Sequence, residues 1–199
     1  MRFVLASASP ARLETLHRAG VRPEVIVSGF DEESVSAPTP WDLARQLAAF
    51  KAEAVINKLA GEALVLGCDS VLEFDGEALG KPGKVDVARQ RWRQMRGKKG
   101  VLHTGHCLWD RGPDRLALNL NSTEVQFIDV TDDEIELYLS TGEPYNVAGG
   151  FTIDGFGGWF VEYIYGDPHN VVGLSLPTLR AMLRELGHDL RDIGYPSYE

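Results

Sequence analysis

An excess of positive charge is missing from this chain: 20 lysines and arginines stand against 29 aspartates and glutamates, a formal net charge of −9. Such a chain has no broad attraction for a nucleic-acid polymer or an anionic membrane surface, although a small basic pocket for one nucleotide stays open to it. Cysteine is equally scarce. Cys68 and Cys107 form neither a metal-type pair spacing nor the framework of a secreted mini-protein, so a reducing cytoplasm is the expected location. Long hydrophobic runs are absent as well: Phe3-Val4-Leu5-Ala6 is too short for a signal peptide, and no window approaches a membrane span. Two nucleotide fingerprints are also lacking. No G-x-x-x-x-G-K-[ST] occurs, and no G-x-G-x-x-G opens a helix after a strand.

What is present is enough apolar material for a core, 44% of 199 residues, in one domain or two tightly packed halves. The pattern begins with a strand over residues 2–6, a helix capped by Ser9 with Pro10 at its first turn, and a strand over 24–27. The acidic, aperiodic segment 31–39 follows. Leu43, Leu47, Phe50 and Ala54 space out a helix from Pro40 to about Leu59, and the apolar run 63–67 reads as a buried strand ending at Cys68-Asp69-Ser70. Asp75-Gly76 marks a hairpin between strands over 71–74 and 78–79. A helix through Met95 and an antiparallel pair over 101–109 and 116–128 come next, and then a helix opened by the capping box Thr131 and Glu134. A glycine-rich stretch, 149–158, leads to a strand over 159–165 and a last helix near 177–186, after which the tail from His188 looks dispensable. Alternating helices and strands with hairpins between predict an α/β fold on a mixed sheet.

Asp69 stands out, because a carboxylate at the end of so apolar a strand needs a cation. Arg12, Lys51 and Lys81 are the candidates. Lys51 falls within the apolar arc of its helix, so it either snorkels or meets a partner such as a phosphate. Ser7, Ser9 and Arg12 lie between a strand's end and a helix N-terminus, a place suited to an anion and equally suited to plain capping. Asp69 is read as a metal ligand and water-activating base, with Glu32 or Glu33 completing the site; its plain alternative is a turn cap. His103, His106 and Cys107 resemble a metal cluster by composition, but alternation along a strand points His106 away from the other two.

Taken together these pieces resemble the Maf family of nucleoside triphosphate pyrophosphatases. The likeness runs through LASASPAR (5–12), GCDSVL (67–72), LGKP (79–82), TGH (104–106), TGEPYNVAGGFTIDGFGGWFV (141–161) and GDPHNVVGLSLP (166–177). The resemblance implies an elongated mixed sheet surrounded by helices, two lobes around a cleft, similar to inosine-triphosphate pyrophosphatase-like folds. It implies hydrolysis of a nucleoside triphosphate to the monophosphate and pyrophosphate with a divalent cation, Mg²⁺ or Mn²⁺. By position it implies Asp69 as proton acceptor, Ser7, Arg12, Lys51 and Lys81 as phosphate-handling residues, and Glu32 with Asp69 at the metal. Ala11, Ser70 and Asp154 occupy positions linked to substrate choice and depart from the better-described branches, so the base is left open. The expected partners are the triphosphate and, through a homodimer, a second copy of the chain, with no nucleic-acid polymer and no membrane. The family's association with septum formation supplies a second reading, a nucleotide-binding regulator of cell division, and a nucleotidyl transferase is a third.

Overall fold

A computed structural model describes residues 1–194. Seven strands form one mixed sheet in the order β2-β1-β3-β5-β6-β7, with β4 beside β3. Their ranges are β1 Phe3–Leu5, β2 Glu24–Val25, β3 Leu64–Phe74, β4 Glu77–Leu79, β5 Lys99–Asp110, β6 Arg115–Phe127 and β7 Val161–Tyr165. β1 runs parallel to β2 and β3, and every other pairing is antiparallel. The helices are α1 Pro10–Arg18, α2 Pro40–Ile56, α3 Val85–Met95, α4 Asp132–Ser140, α5 Pro168–Val172 and α6 Leu176–Glu185.

Alternation along β3 assigns its side chains to three cores. Leu64, Leu66 and Cys68 face α1 and α6 with Leu16, Leu179, Met182 and Leu183. On the opposite face Val65 packs with Ala48, Ala52 and Val55 of α2. Beyond residue 70, Leu72 and Phe74 enter a third core around Trp92, whose ring stands edge-on to Phe127, Tyr138 and Phe160 at centroid distances of 5.6, 5.4 and 5.8 Å. β3 thus passes from one packed body to another, and Asp69 and Ser70 lie at the seam. Backbone contact sets the height of α2: a methyl group on Gly67 would overlap the Ala48 carbonyl, and one on Gly105 the Ala44 carbonyl.

Several expectations needed correction. The strands expected over 63–67 and 71–74 are one strand, β3, continuous through Asp69 and Ser70 and paired to β5 from Leu64↔Asp110 to Glu73↔Val101. Polar residues interrupt its apolar run where its even-numbered side chains pass from one core, ending at Cys68, to the next, beginning at Leu72. The strand expected from Trp159 begins only at Val161, since Phe156–Phe160 winds into a 3-10 turn, and the short α5 over PHNVV was not foreseen. The closing segment is docked as far as it is described. His188 Nε2 lies 2.7 Å from Asp110 Oδ2, and Ile193 is buried in the core of α1 and α6; residues 195–199 fall outside the described residues. Among the described residues no helix is long and apolar enough to cross a membrane.

Candidate active site

On the edge of β3 away from β5, β1 pairs with Leu64, Leu66 and the residue between them, and β4 pairs only from Leu72 onward. Residues 67–71 therefore have no strand partner on that side. The Ser7–Ser9 loop leaves β1 at one end of this gap, after Ala6 N–H donates to Leu66 O at 2.8 Å. At the other end Gly80 and Lys81 continue from β4. The gap brings together residues from five separate parts of the sequence.

On the α2 face, Lys51 reaches Asp69 in a buried ion pair, and its Nζ also lies 2.7 Å from Glu32 Oε1. The segment before α2 makes that possible. Phe30 stacks on Phe50 at 5.1 Å, next to Lys51, and Asp31 Oδ1 accepts the Glu33 N–H at 3.1 Å, winding Glu32–Ser34 into a single turn. Lys81 is more exposed, its Nζ 4.0 Å from Glu32 Oε1. Burial raises the Asp69 carboxyl above its ordinary value of 3.8, with the charges of Lys51 and Arg12 pulling the other way. Glu32 is half-buried, and burial opposes its ionisation too. There the bond and charge of Lys51, helped by Lys81 and Arg12, prevail and hold it below its ordinary value of 4.5.

Ser70 points to the opposite face and meets Arg12. The guanidinium is buried, donating from Nε to Gly173 O at 2.8 Å, from Nη1 to Ser7 Oγ at 3.2 Å and from Nη2 to Ser70 Oγ at 3.1 Å. All three acceptors are neutral. No carboxylate among the described residues forms a hydrogen bond or salt bridge with Arg12, so a fixed positive charge sits in the protein uncompensated by direct contact. The chain continues from Ser70 Oγ to Thr104 Oγ1 at 2.9 Å and from there to the Asn170 carbonyl at 3.0 Å. His106 records the local field: burial first, and then Arg12, pushes it down to about 4. The neutral ring accepts the Ser175 N–H at Nε2, 2.9 Å away, with Thr104 O 3.0 Å from Nδ1.

The structure therefore collects Ser7, Arg12, Glu32, Lys51, Asp69, Ser70 and Lys81 around one gap. Ala11 precedes Arg12 on α1, and its carbonyl accepts from Thr15 Oγ1 at 2.9 Å. Asp154 is exposed in the loop before the Phe156–Phe160 turn, with no hydrogen bond or salt bridge to this set. Glu33 is exposed, its N–H bonded within its own turn. His103 and His106 face opposite sides of the sheet. His103 meets Glu73 and Ser122, with a ring-nitrogen separation of 2.8 Å to each.

Sequence reasoning missed Glu143. It accepts from Tyr138 Oη at 2.8 Å, Thr152 Oγ1 at 2.6 Å and the N–H groups of Phe156 and Gly157 at 2.8 and 2.9 Å, and so ties down the glycine-rich segment. Burial resists its ionisation, and those four donors overcome it to lower its pKa. An acid closely following a helix end and preceding a run of glycine N–H groups was the available signal.

Glu32 and Asp69 supply two hard oxygen donors that already share one cation, the Lys51 ammonium. Among the described residues no group of three or more His, Cys, Asp or Glu side chains is placed to hold a metal. Two carboxylates suit Mg²⁺, which takes one or two from the protein and completes its shell with water and substrate phosphate.

The family model described as Maf-like protein matches residues 2–186. A nucleoside triphosphate pyrophosphatase of Streptomyces avermitilis is 54% identical over 196 residues, covering 98% of this chain and 95% of that protein. Another, from Salinispora tropica, is 55% identical and covers 94% and 84%. Among solved structures, the Staphylococcus aureus Ham1 protein aligns over 65% of this chain and 73% of that one, at 15% identity and a TM-score of 0.46.

Proposed function

The chain belongs to the Maf-like protein family, and on that premise we propose that it is a nucleoside triphosphate pyrophosphatase, clearing triphosphates from the nucleotide pool by hydrolysis to monophosphate and pyrophosphate. The observation that carries this reading is Arg12. A buried guanidinium with three neutral acceptors is a costly arrangement for a charge that nothing ever joins, and it becomes favourable when a phosphate enters the adjacent gap.

In this reading Arg12 approaches the phosphates from one face of the sheet, and Lys51 and Lys81 approach from the other. Ser7 orients Arg12. Incoming phosphate oxygens draw the Lys51 ammonium away from Asp69, which leaves a buried carboxylate whose affinity for a proton is raised. Asp69 then takes the proton of the attacking water. The water oxygen bonds to the α-phosphorus, the bond from that phosphorus to the bridging oxygen breaks, and its electron pair leaves with pyrophosphate. Mg²⁺ or Mn²⁺ would be held by Glu32 and Asp69, and when bound it supplies positive charge against the negative charge gathering on the phosphate oxygens. Base choice is assigned to Ala11, Ser70 and Asp154; Ser70 is bonded to Arg12 and Ala11 adjoins it in sequence. A reducing cytoplasm suits the two free, buried thiols, Cys68 and Cys107.

The test is product analysis on a panel of ordinary and modified nucleoside triphosphates, with and without Mg²⁺ or Mn²⁺. Pyrophosphate and the monophosphate, released only with the divalent ion, are expected. Release of orthophosphate, or no turnover of any triphosphate, would overturn the reading.

A further inference from the structure

We propose that Glu73, positioned by His103, accepts the sugar hydroxyls of the bound nucleotide; the assignment rests on the pyrophosphatase reading of the gap. Side chains alternate along β3, so Asp69, Val71 and Glu73 share one face. Four residues of strand set the Asp69 and Glu73 backbones about 13 Å apart. Between them lies the row in which Val71 opposes His103, and His103 in turn opposes Ser122.

This face opens at its Glu73 end, beyond Val71 and His103, which are buried. Through Gly67 and Gly105, α2 rests on the rows at and before Asp69, while the Trp92 core lies against the other face with Leu72 and Phe74. On the open side Ser122 is exposed, and so is Tyr165, which pairs with Glu124 one row further on. Glu73 shares that openness, its side chain 34% exposed against 9% for His103.

Glu73 is also held in place. Its Oε2 lies 2.8 Å from His103 Nε2, and His103 Nδ1 lies 2.8 Å from Ser122 Oγ, so the imidazole is fixed from both ends. Glu73 Oε1 has no hydrogen-bond partner among the described residues. A fixed carboxylate with one free oxygen is an acceptor looking for O–H or N–H donors. Charge decides which end of the nucleotide it serves. Unlike Asp69 and Glu32, Glu73 has no lysine or arginine paired to it among the described residues, so it would repel phosphates placed beside it, and about 13 Å of strand separates it from Asp69. It therefore faces the uncharged part, and the first donors beyond the α-phosphate are the sugar hydroxyls, the groups a carboxylate takes in dinucleotide sites.

The experiment compares ribo-, 2′-deoxy- and 2′,3′-dideoxynucleoside triphosphates of one base, in the wild type and in Glu73→Gln and His103→Gln. In the wild type, loss of the hydroxyl that Glu73 accepts should lower kcat/KM about tenfold or more, the usual effect of losing a hydrogen bond to a charged group. In Glu73→Gln that ratio should collapse toward one, and in His103→Gln it should shrink. Each ratio is taken within one variant, so a change in the folded fraction does not move it. A wild type indifferent to both hydroxyls, or a Glu73→Gln enzyme with the wild-type ratios, would overturn the proposal and leave the ladder a structural one. If the wild type turned over none of the series, the pyrophosphatase reading would fall instead. The same ratios would then be measured as equilibrium dissociation constants, where a collapse in Glu73→Gln supports the sugar contact and unchanged ratios overturn it.

Discussion

Asp69 and Ser70 are neighbours on one strand, and they open onto two differently built halves of the site. On the α2 face charge answers charge: one lysine stands between two carboxylates, with a second lysine at the rim. On the other face a single arginine is fixed by two hydroxyls and a carbonyl, and its charge goes unanswered. The first half is a set of exchangeable ion pairs, able to re-sort when an anion or a cation arrives. The second is rigid and already shaped for an anion. Alternation at one position of β3 thus separates the half proposed to carry out proton transfer from the half whose arginine is held by neutral groups.

Substitutions on the two faces should fail differently. The largest effect is expected on the exchangeable side: Asp69→Asn should keep the fold and lower turnover by roughly two to four orders of magnitude, the usual contribution of an acid-base or metal-activating group. Steady-state pyrophosphate release alongside a melting curve checks it, and near-normal turnover would remove Asp69 from the chemistry.

Lys51→Met and Arg12→Met set the halves against each other in stability. Lys51→Met strands two carboxylates, one of them buried, and breaking such a pair costs about 3–5 kcal/mol. In the wild type the depressed Glu32 stabilises the fold above its ordinary pKa, a contribution lost as pH falls through the lowered value. The raised Asp69 works the other way, favouring the fold in acid and costing stability as pH rises through its elevated value. Without Lys51 both carboxyls titrate higher, so the deficit of the variant should be greatest at neutral pH and shrink as acid protonates them. Arg12→Met exposes no carboxylate. It should raise KM roughly tenfold to a hundredfold for every base alike, as expected for lost charge-assisted bonds, with a weaker pH dependence in stability than Lys51→Met, because Arg12 acts on the two carboxylates only through its charge. Urea unfolding at two pH values separates the two patterns, and matching patterns would erase the distinction.

The wild-type pH profile is a finer test. Asp69 must be ionised to take a proton, so the acid limb of kcat/KM should fall above the ordinary aspartate value of 3.8. Asp69→Glu, with a longer side chain in the same burial, should move that limb; an unmoved limb would assign it to another group. The smallest effect is expected at Thr104→Val on the rigid side. Losing the link from Ser70 to the Asn170 carbonyl should cost about 1 kcal/mol of stability. A loss confined to the charged face would contradict the connection drawn through Ser70.

Local rules made much of this legible in the sequence. Ser9 caps α1, Thr131 and Glu134 close a capping box, and Asp75-Gly76 turns the hairpin with both residues at positive φ. Lys51 could be found because a lysine inside an apolar arc needs a reason. What was not legible depended on partners distant in sequence. A polar pair in an apolar run looks like the end of a strand unless one knows that a second core takes up the same strand from Leu72. Glu143 is an ordinary surface acid until the backbone N–H groups of Phe156 and Gly157 are folded over it. Arg12 is a helix-start arginine until α5 delivers the Gly173 carbonyl from 161 residues away.

Gly67 and Gly105 act as a mechanical stop, a consequence of atoms they do not possess. The α2 carbonyls rest where methyl groups would be, so the helix, and Lys51 with it, is gauged against bare backbone. A single alanine at either position would jack the helix off the sheet without touching any charged group. A misplacement of about 1 Å at a reacting centre can cost on the order of a hundredfold in rate. The tolerance of the site is therefore set by two hydrogens lying beneath a helix, in residues with no chemistry of their own.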